Sequence, residues 1–282
     1  MTDETYEDLT GTRFERVRLT DASFEDVYLD GARFHDVVLR GATLRQVDLR
    51  GLRARDVWLE DVDITAEIGN VRINGIDVVP YIEAELDRLQ PDRPKMRPTD
   101  AQGFREAWDA LERLWGETVE HARAFTPDQL HESVDGEWSF IETLRHLVFA
   151  TDAWVRRALL GDPEPWDALD LPHDDMPDSP PVPRDRDVRP TLEEVLALRA
   201  DRMATVRRVV DGLTDEQLAG TTEPVTEPGY PEPEPYAVRR VLRTILSEEW
   251  LHRQYAERDL AVVAARAEGR PAAEPAVGIP PR

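Results

Sequence analysis

The feature that most constrains the fold is a five-residue repeat in the first quarter of the chain. A period of five fits neither the 3.6 residues per turn of a helix nor the alternation of a strand. It predicts a chain that turns a corner every five residues, with one large and one small side chain inside each side. The large positions are Phe14, Leu19, Phe24, Leu29, Phe34, Leu39, Leu44, Leu49, Ala54, Leu59 and Ile64. The small ones, two residues earlier, are Thr12, Val17, Ala22, Val27, Ala32, Val37, Ala42, Val47, Leu52, Val57 and Val62.

This pattern resembles the pentapeptide-repeat family over residues 10–66. The resemblance implies a short right-handed quadrilateral β-helix, with four pentads in each coil. Eleven pentads make fewer than three coils, and the units of a solenoid bury their faces only against neighbouring units. We therefore expect residues 67–98 to include a cap. They contain an Asn74-Gly75 hairpin signal, a short helix over 81–89 and a proline-rich linker over 91–98.

From residue 99 the apolar residues recur at helical spacing. This predicts four helices, over 101–124, 139–160, 191–212 and 237–268, forming one four-helix bundle over 99–268. Asp100 is a candidate N-cap, and Thr191 with Glu194 forms a capping-box sequence. The similar segments 126–130 and 214–218 suggest two related helical hairpins, and the tail 269–282 is expected to be disordered. The predicted fold is thus a mixed β-solenoid plus all-α chain.

Composition limits the classes of function. The length of 282 residues suggests two domains. A formal net charge of -23 disfavours binding to nucleic acid and to anionic lipid. We found neither signal-peptide features nor an apolar run near the roughly 18 residues of a membrane span, so we expect a cytoplasmic location. The chain has no cysteine, so any metal must be held by His, Asp or Glu.

The strongest candidate for chemistry combines His146 with Glu248 and His252. His146 lies among core-type residues of the second predicted helix, and Glu248 precedes His252 by four positions, on one face of the fourth. Three nitrogen and oxygen ligands with an open fourth position describe a catalytic zinc site. The same spacing also suits a hydrogen-bonded core histidine and an ordinary interhelical Glu–His contact, so the residues alone leave both interpretations open.

The segments 136–146 and 248–260 resemble the DinB-like superfamily, and the resemblance extends over about residues 100–265. Many members hold a metal with three histidines, and Glu248 stands where the second of them would be. The mycothiol-dependent maleylpyruvate isomerase branch is similar in this respect, with zinc held by His, Glu and His. The resemblance therefore implies that His146, Glu248 and His252 are metal ligands. It also implies a possible homodimer.

The function expected from this resemblance is that of a metal-dependent S-transferase or isomerase acting on a small electrophile. Zinc is the expected metal, with nickel as an alternative, and mycothiol or another low-molecular-weight thiol would be the cofactor. A binding scaffold without catalysis, with a protein partner docked on the solenoid, is a second hypothesis. A topoisomerase-binding DNA mimic is a third, which the arginines among the acidic residues of the repeat disfavour.

Several other residues are weaker candidates for the site. Asp152 lies six positions after His146, so it does not share its helical face. Three arginines are candidate anchors for an anionic substrate: Arg145, Arg239 and Arg243. Three tryptophans are candidate walls of a pocket: Trp138, Trp154 and Trp250. The loops 162–190 and 221–235 are candidates for the mouth of that pocket. Of the remaining histidines, His35 is expected at an outward surface position of the repeat, and His121 and His131 lack a clear partner. His173 lies in a proline- and aspartate-rich loop, where it is either a lid residue or without a role.

Overall fold

The computed structural model describes residues 7–25, 27–44, 47–177 and 179–270. The chain divides into two compact units, Met1–Arg55 and Asp56–Arg282. The predicted disordered tail falls on residues 269–282, of which 271–282 lie outside the described residues.

The first unit is a series of tight turns that recur every ten residues. In each turn a main-chain N–H donates to the carbonyl three residues earlier, as from Thr12 to Leu9 at 3.0 Å and from Ala32 to Leu29 at 3.0 Å. The third residue of these turns has a positive φ, for example 78° at Gly11 and 70° at Gly31. That conformation defines a type II turn and favours glycine. The turns Leu19–Ala22, Leu39–Ala42 and Leu49–Leu52 repeat the same bond.

The apolar positions of the repeat are exposed. The large central side chains, Ala54 apart, are 50–73% exposed. Within the described part of residues 7–66 there is no β-strand and no main-chain hydrogen bond between successive coils. Because a β-helix buries these side chains between paired coils, the predicted solenoid is not confirmed and stays a prediction.

The second unit begins with the last pentads of the repeat, and the expected hairpin and short helix follow them. Strands β1 (Arg72–Ile73) and β2 (Ile76–Asp77) pair antiparallel, and Asn74 and Gly75 take the two positive φ angles of a type I′ turn. Helix α1 covers Val79–Leu89. The segment predicted as a linker contains a 3-10 helix, Arg93–Met96, which packs against the bundle.

The bundle consists of four long helices and two short ones. The long helices are α2 (Ala101–Ala122), α4 (Phe140–Thr151), α5 (Leu192–Gly212) and α7 (Val238–Ala267). The short helices α3 (Pro127–Leu130) and α6 (Asp215–Leu218) are the two similar segments of the sequence, and each begins with a threonine capping box. After α4 the same helical run continues as a π-helix, Asp152–Leu159.

The apolar faces of the long helices meet in one core. Phe104 and Leu111 of α2, Leu144 of α4, and Leu242 of α7 are at most 1% exposed. Helix α4 packs against both α5 and α7, which brings the middle of α4 to the face of α7 that carries Glu248. The helix-rich architecture is therefore confirmed. Among the described residues, no helix combines the length and apolarity needed to cross a membrane.

Candidate metal centre

His146 lies in the middle of α4 and is 5% exposed. The start of this helix is fixed by a capping box, in which Ser139 and Glu142 each accept a hydrogen bond from the main chain of the other. The Nδ1 atom of His146 lies 3.0 Å from the carbonyl oxygen of Leu171. Since a carbonyl only accepts, Nδ1 carries a hydrogen, and Nε2 is the nitrogen that faces Glu248. A metal would take the place of any proton on Nε2, and the Nδ1–H bond orients the ring for this.

Glu248 and His252 complete the cluster from α7, where they lie one turn apart. The Glu248 Oε2 atom lies 3.3 Å from His146 Nε2 and 3.2 Å from His252 Nδ1. The two imidazole rings face each other, with centroids 4.7 Å apart and an interplanar angle of 28°. The His252 Nδ1–H also has the Glu248 carbonyl oxygen within 2.9 Å. The helix–helix contact thus brings together the three residues selected from the sequence.

The donor set suits a divalent metal. One ligand atom from each residue lies within 4.8 Å of the other two, and this is the only such His, Asp or Glu group found within the described part of the chain. Zinc bonds to nitrogen and oxygen of about 2.0–2.2 Å place neighbouring ligand atoms roughly 3–4 Å apart. The 4.8 Å limit is wider than this spacing, so the three ligand atoms would have to draw closer around one ion.

The electrostatics of the cluster keep Glu248 ionised. Burial alone would raise the pKa of this carboxyl group. The hydrogen bond from His146 and the charges of His146, His252 and His173 outweigh burial, so the pKa lies below its ordinary value. A carboxylate rather than a carboxylic acid is the form that binds a cation.

A buried ion pair fixes which of two adjacent glutamates enters the cluster. Arg199 of α5 donates two hydrogen bonds to Glu249, at 2.7 and 2.8 Å, and both side chains are almost fully buried. Successive helical residues point about 100° apart. Because Glu249 is held against α5, Glu248 is directed to α4 and His146.

Aromatic rings surround the imidazoles. Trp138, a candidate wall residue, has its ring centroid 4.5 Å from that of His146 and 6.0 Å from that of His252. Trp154 instead contacts Tyr230 and Tyr236, and Trp250 belongs to the hydrophobic core. Of the three tryptophans, the structure places only Trp138 against the cluster.

The three arginines considered as substrate anchors, and Asp152, form hydrogen bonds with groups outside the cluster. Arg145 donates to the carbonyl oxygens of Leu169, Val188 and Asp185, which fastens the long loop to α4. Arg239 and Arg243 donate to the carbonyl oxygens of Thr99 and Pro98, respectively. Asp152 is buried and forms two hydrogen bonds with Arg202, at 2.8 and 2.7 Å.

The other histidines fall into two groups. His35 is exposed beside Asp36, His121 faces Glu257, and the Nε2 of His131 lies 3.0 Å from the Pro190 carbonyl oxygen. His173 is different, because its charge acts on Glu248. Its ring centroid lies 5.8 Å from that of Tyr230.

From the sequence, His173 was a lid residue of its loop or a residue without a role, and Tyr230 was not singled out. Both lie in irregular loops, where no periodicity indicates the direction of a side chain. Only the proline-rich composition of the two loops, which suggested a pocket mouth, pointed to this part of the chain.

Comparison with known proteins identifies two matching families. The family model of the DinB superfamily matches residues 110–256, which is just over half of the 282 residues and contains all three residues of the cluster. The model of the pentapeptide repeats matches eight copies, over residues 8–36 and 28–65. No curated protein and no solved structure matches the chain.

Proposed function

We propose that this chain, which belongs to the DinB superfamily, is a divalent-metal-dependent enzyme that holds its metal with His146, Glu248 and His252. The observation that carries the proposal is the convergence of these three side chains from two helices, within 4.8 Å of one another. We propose zinc as the metal, with nickel as an alternative that nitrogen and oxygen donors also accept.

The reaction that we propose is thiol-dependent S-transfer or isomerisation of a small electrophile. A metal held by these three residues would supply positive charge that favours the thiolate form of a thiol, which is the nucleophilic form. The chain has no cysteine, so the thiol would be a separate low-molecular-weight compound such as mycothiol.

The residues of the chain have definite tasks in this proposal. The Leu171 carbonyl orients His146 and holds the proton on Nδ1. The Glu248 carboxylate offsets one unit of the metal's charge, and the Arg199–Glu249 pair keeps that carboxylate directed to the site. The half-buried rings around the cluster limit access of water to the sulfur.

The metal content of the full-length protein, purified without added metal, tests the first half of the proposal. We expect about one equivalent by plasma mass spectrometry in the parent and none in His252→Ala. His121→Ala is the matched control, because His121 is a half-exposed histidine outside the cluster, and it should retain the metal. A His252→Ala protein that holds as much metal as the parent contradicts the proposed ligand set.

Measurement of substrate turnover tests the second half of the proposal, which is the thiol-dependent reaction. The metal-loaded parent is supplied with an electrophile and with mycothiol, bacillithiol or glutathione in turn. We expect one of these thiols to support consumption of the electrophile by the parent but not by His252→Ala. A fully loaded parent that is inactive with all three thiols would indicate a binding protein without catalysis, which was the second hypothesis from the sequence.

For residues 10–66 we propose the quadrilateral β-helix as the folded form and a protein partner as its ligand. The support is the unbroken five-residue period together with the exposed apolar side chains, which a β-helix would bury.

A further inference from the structure

The loop after the π-helix makes a tight turn at residues 167–171, and the side chain of Asp170 is one of the groups that shape it. The Asp170 N–H donates to the Asp167 carbonyl oxygen at 3.0 Å, and the Asp167 N–H donates to Oδ2 of Asp170 at 3.1 Å. The Leu169 N–H donates to Oδ1 of Asp167 at 3.0 Å. The conformation of the turn therefore depends on the Asp170 carboxyl group as an acceptor.

This turn contacts two successive residues of α4. The Leu169 carbonyl oxygen accepts from Arg145 Nε at 2.9 Å. The Leu171 carbonyl oxygen lies 3.0 Å from Nδ1 of His146, and Leu171 is 1% exposed. The acceptor that orients His146 is therefore the carbonyl of the residue directly after Asp170.

Asp170 is fully buried, and its two oxygens differ in their contacts. Oδ2 accepts from the Asp167 N–H, whereas Oδ1 has no hydrogen-bond partner among the described residues. A carboxylate placed in this way would be costly, because no donor satisfies its second oxygen away from water. A carboxylic acid can carry its proton on Oδ1 and still accept through Oδ2.

The neighbouring Asp152 takes up the nearby cations instead. Both of its oxygens accept from Arg202, at 2.8 and 2.7 Å, and Oδ1 also accepts from Arg156 at 3.2 Å. The charge of Arg145 acts on Asp170, but its guanidinium donates to main-chain carbonyl oxygens. Of the two aspartates, Asp152 is therefore the carboxylate, and Asp170 holds the proton. The charged groups around Asp170 come from α4, the π-helix, α5 and its own loop: Arg145, Asp152, Arg156, Arg202 and Asp167.

Loss of this proton would act against the seated position of the turn. Burial and the charge of Asp152 raise the pKa of Asp170 well above its ordinary value, and the hydrogen bond from Asp167 and the charge of Arg202 offset only part of the rise. Once ionised, Asp170 would gain by leaving the core for water. Because Leu171 follows it directly, such a movement would also withdraw the carbonyl from His146.

From these contacts we infer that Asp170 is a positioning residue for the metal centre. Its neutral carboxyl group seats the turn on α4, and the seated turn presents the Leu171 carbonyl to His146. Metal affinity should therefore depend on the proton of a residue that does not touch the metal. This inference rests on the proposed function, because it names a regulation of the same site.

The pH dependence of zinc affinity tests the inference, with the full-length parent and Asp170→Asn compared by competition with a chromophoric chelator. Asparagine resembles a neutral aspartic acid in shape and does not ionise. While Asp170 of the parent is neutral, the two proteins should bind zinc within about threefold. At higher pH the parent should lose affinity relative to the variant by up to about tenfold per pH unit, because seating the turn then requires uptake of one proton.

The ratio of the two affinities removes effects that both proteins share, such as loss of protons from the histidines. Asp187→Asn is the matched control, since Asp187 is exposed on the same loop, and it should follow the parent at every pH. A ratio between Asp170→Asn and the parent that stays constant from about pH 6 to about pH 10, above the ordinary pKa of an aspartate, would overturn the inference.

Heteronuclear NMR of isotope-labelled histidines, with chelator present, tests the same role without metal. The Nδ1–H of His146 should be protected from exchange with water while the Leu171 carbonyl accepts from it. As the pH rises, the parent should lose this protection at a lower pH than Asp170→Asn. Loss at the same pH in both proteins would contradict the role of Asp170. A parent that binds no metal would contradict the proposed function, and the NMR comparison would still decide whether Asp170 positions His146.

Discussion

At the scale of single residues, the two adjacent glutamates Glu248 and Glu249 show how position in the fold separates identical side chains. Glu248 lies 28% exposed, with its Oε2 atom 3.3 Å from His146 Nε2 and 3.2 Å from His252 Nδ1. Glu249 lies 2% exposed, in an ion pair with Arg199. One glutamate therefore faces the candidate metal centre, and the other anchors the helix that carries it.

Substitution of Glu248 should mainly lower metal affinity, whereas substitution of Glu249 should mainly lower the unfolding free energy. Glu248→Gln should lower metal affinity by at least about tenfold, because the ligand charge is lost, and change the unfolding free energy of the apo protein by less than about 1 kcal/mol. Glu249→Gln should lower the unfolding free energy by about 3 kcal/mol, because it leaves the buried Arg199 without a counter-charge. Urea denaturation with chelator present measures the stabilities, and metal titration measures the affinities. Equal losses of stability in the two variants would contradict this division of roles.

Asp170 provides a second prediction at this scale. It is fully buried, its Oδ1 has no hydrogen-bond partner, and burial together with the charge of Asp152 raises its pKa well above the ordinary value. A folded-state pKa above that of the unfolded chain means that the folded state binds more protons between the two values. Stability should therefore fall by up to about 1.4 kcal/mol per pH unit as the pH rises through this range.

Asp170→Asn should remove this decline. We expect the variant to gain stability relative to the parent as the pH is raised from 4 towards the folded-state pKa, as measured by urea denaturation at successive pH values. Asp128→Asn, at an exposed aspartate, serves as the control and should follow the parent. Parallel pH profiles for Asp170→Asn and the parent would show that Asp170 does not titrate as its surroundings require.

At the scale of elements, the contrast lies between the bundle helices and the repeat. Each bundle helix satisfies its own main-chain groups and buries an apolar face, so its pattern predicts its position. A repeat segment has hydrogen-bonding groups and apolar side chains that only another coil can satisfy. The period of five therefore predicts the sites of the corners, whereas the pairing of coils needs a separate test.

A charge inside the repeat tests that pairing. If residues 10–66 form the predicted β-helix, Phe24→Asp places a charge in its interior and should abolish slow amide hydrogen exchange in the neighbouring coils. Ser23→Asp, one residue earlier and at an outward position of the five-residue pattern, is the control and should preserve that protection. Absence of slow exchange from residues 10–66 of the parent would contradict the β-helix and favour the open series of turns.

At the scale of the whole molecule, the chain consists of two compact units, and the matched DinB segment lies within the second. The three residues of the candidate metal centre all belong to α4 and α7 of this unit. The network that orients them, through Leu171, Arg199 and Glu249, lies there as well. The ligands of the candidate metal centre and these orienting contacts therefore all belong to residues after the repeat.

A chain shortened to residues 67–282 should accordingly fold and bind metal like the full-length protein. We expect the same helical circular-dichroism signal per molecule and metal affinity within about threefold, since no ligand or orienting contact is removed. The shortened chain carrying His252→Ala is the control for metal specificity. Loss of metal binding on shortening would show that the repeat contributes to the site.

Metal should also raise the melting temperature of that unit. Free metal at about 100 times the dissociation constant adds about 2.7 kcal/mol to the unfolding free energy when only the folded state binds it. Calorimetry with zinc and with chelator should show this shift in the parent and not in His252→Ala. An equal shift in both proteins would indicate that the stabilising metal binds elsewhere.

The sequence by itself determined the four long helices, the hairpin and the three candidate ligands. Periodicity and capping residues such as Asp100, Ser139 and Thr191 are local signals, because a helix satisfies its main chain within itself. The i, i+4 spacing likewise fixed Glu248 and His252 on one face before any contact was known. The histidine supplied by the facing helix followed from the family resemblance, and the structure brings it to 3.3 Å from Glu248.

Only the tertiary structure decided which side chains surround that cluster. The Leu171 carbonyl comes from a loop and the Arg199–Glu249 pair from a contact between two helices, and no local pattern indicates such meetings. The tertiary structure also showed that Arg145, Arg239 and Arg243 donate hydrogen bonds to main-chain carbonyl oxygens, whereas the sequence suggested that these arginines hold a substrate. The physical reason is that a side chain's partner depends on how helices pack and loops close, and those long-range contacts are set by the whole core.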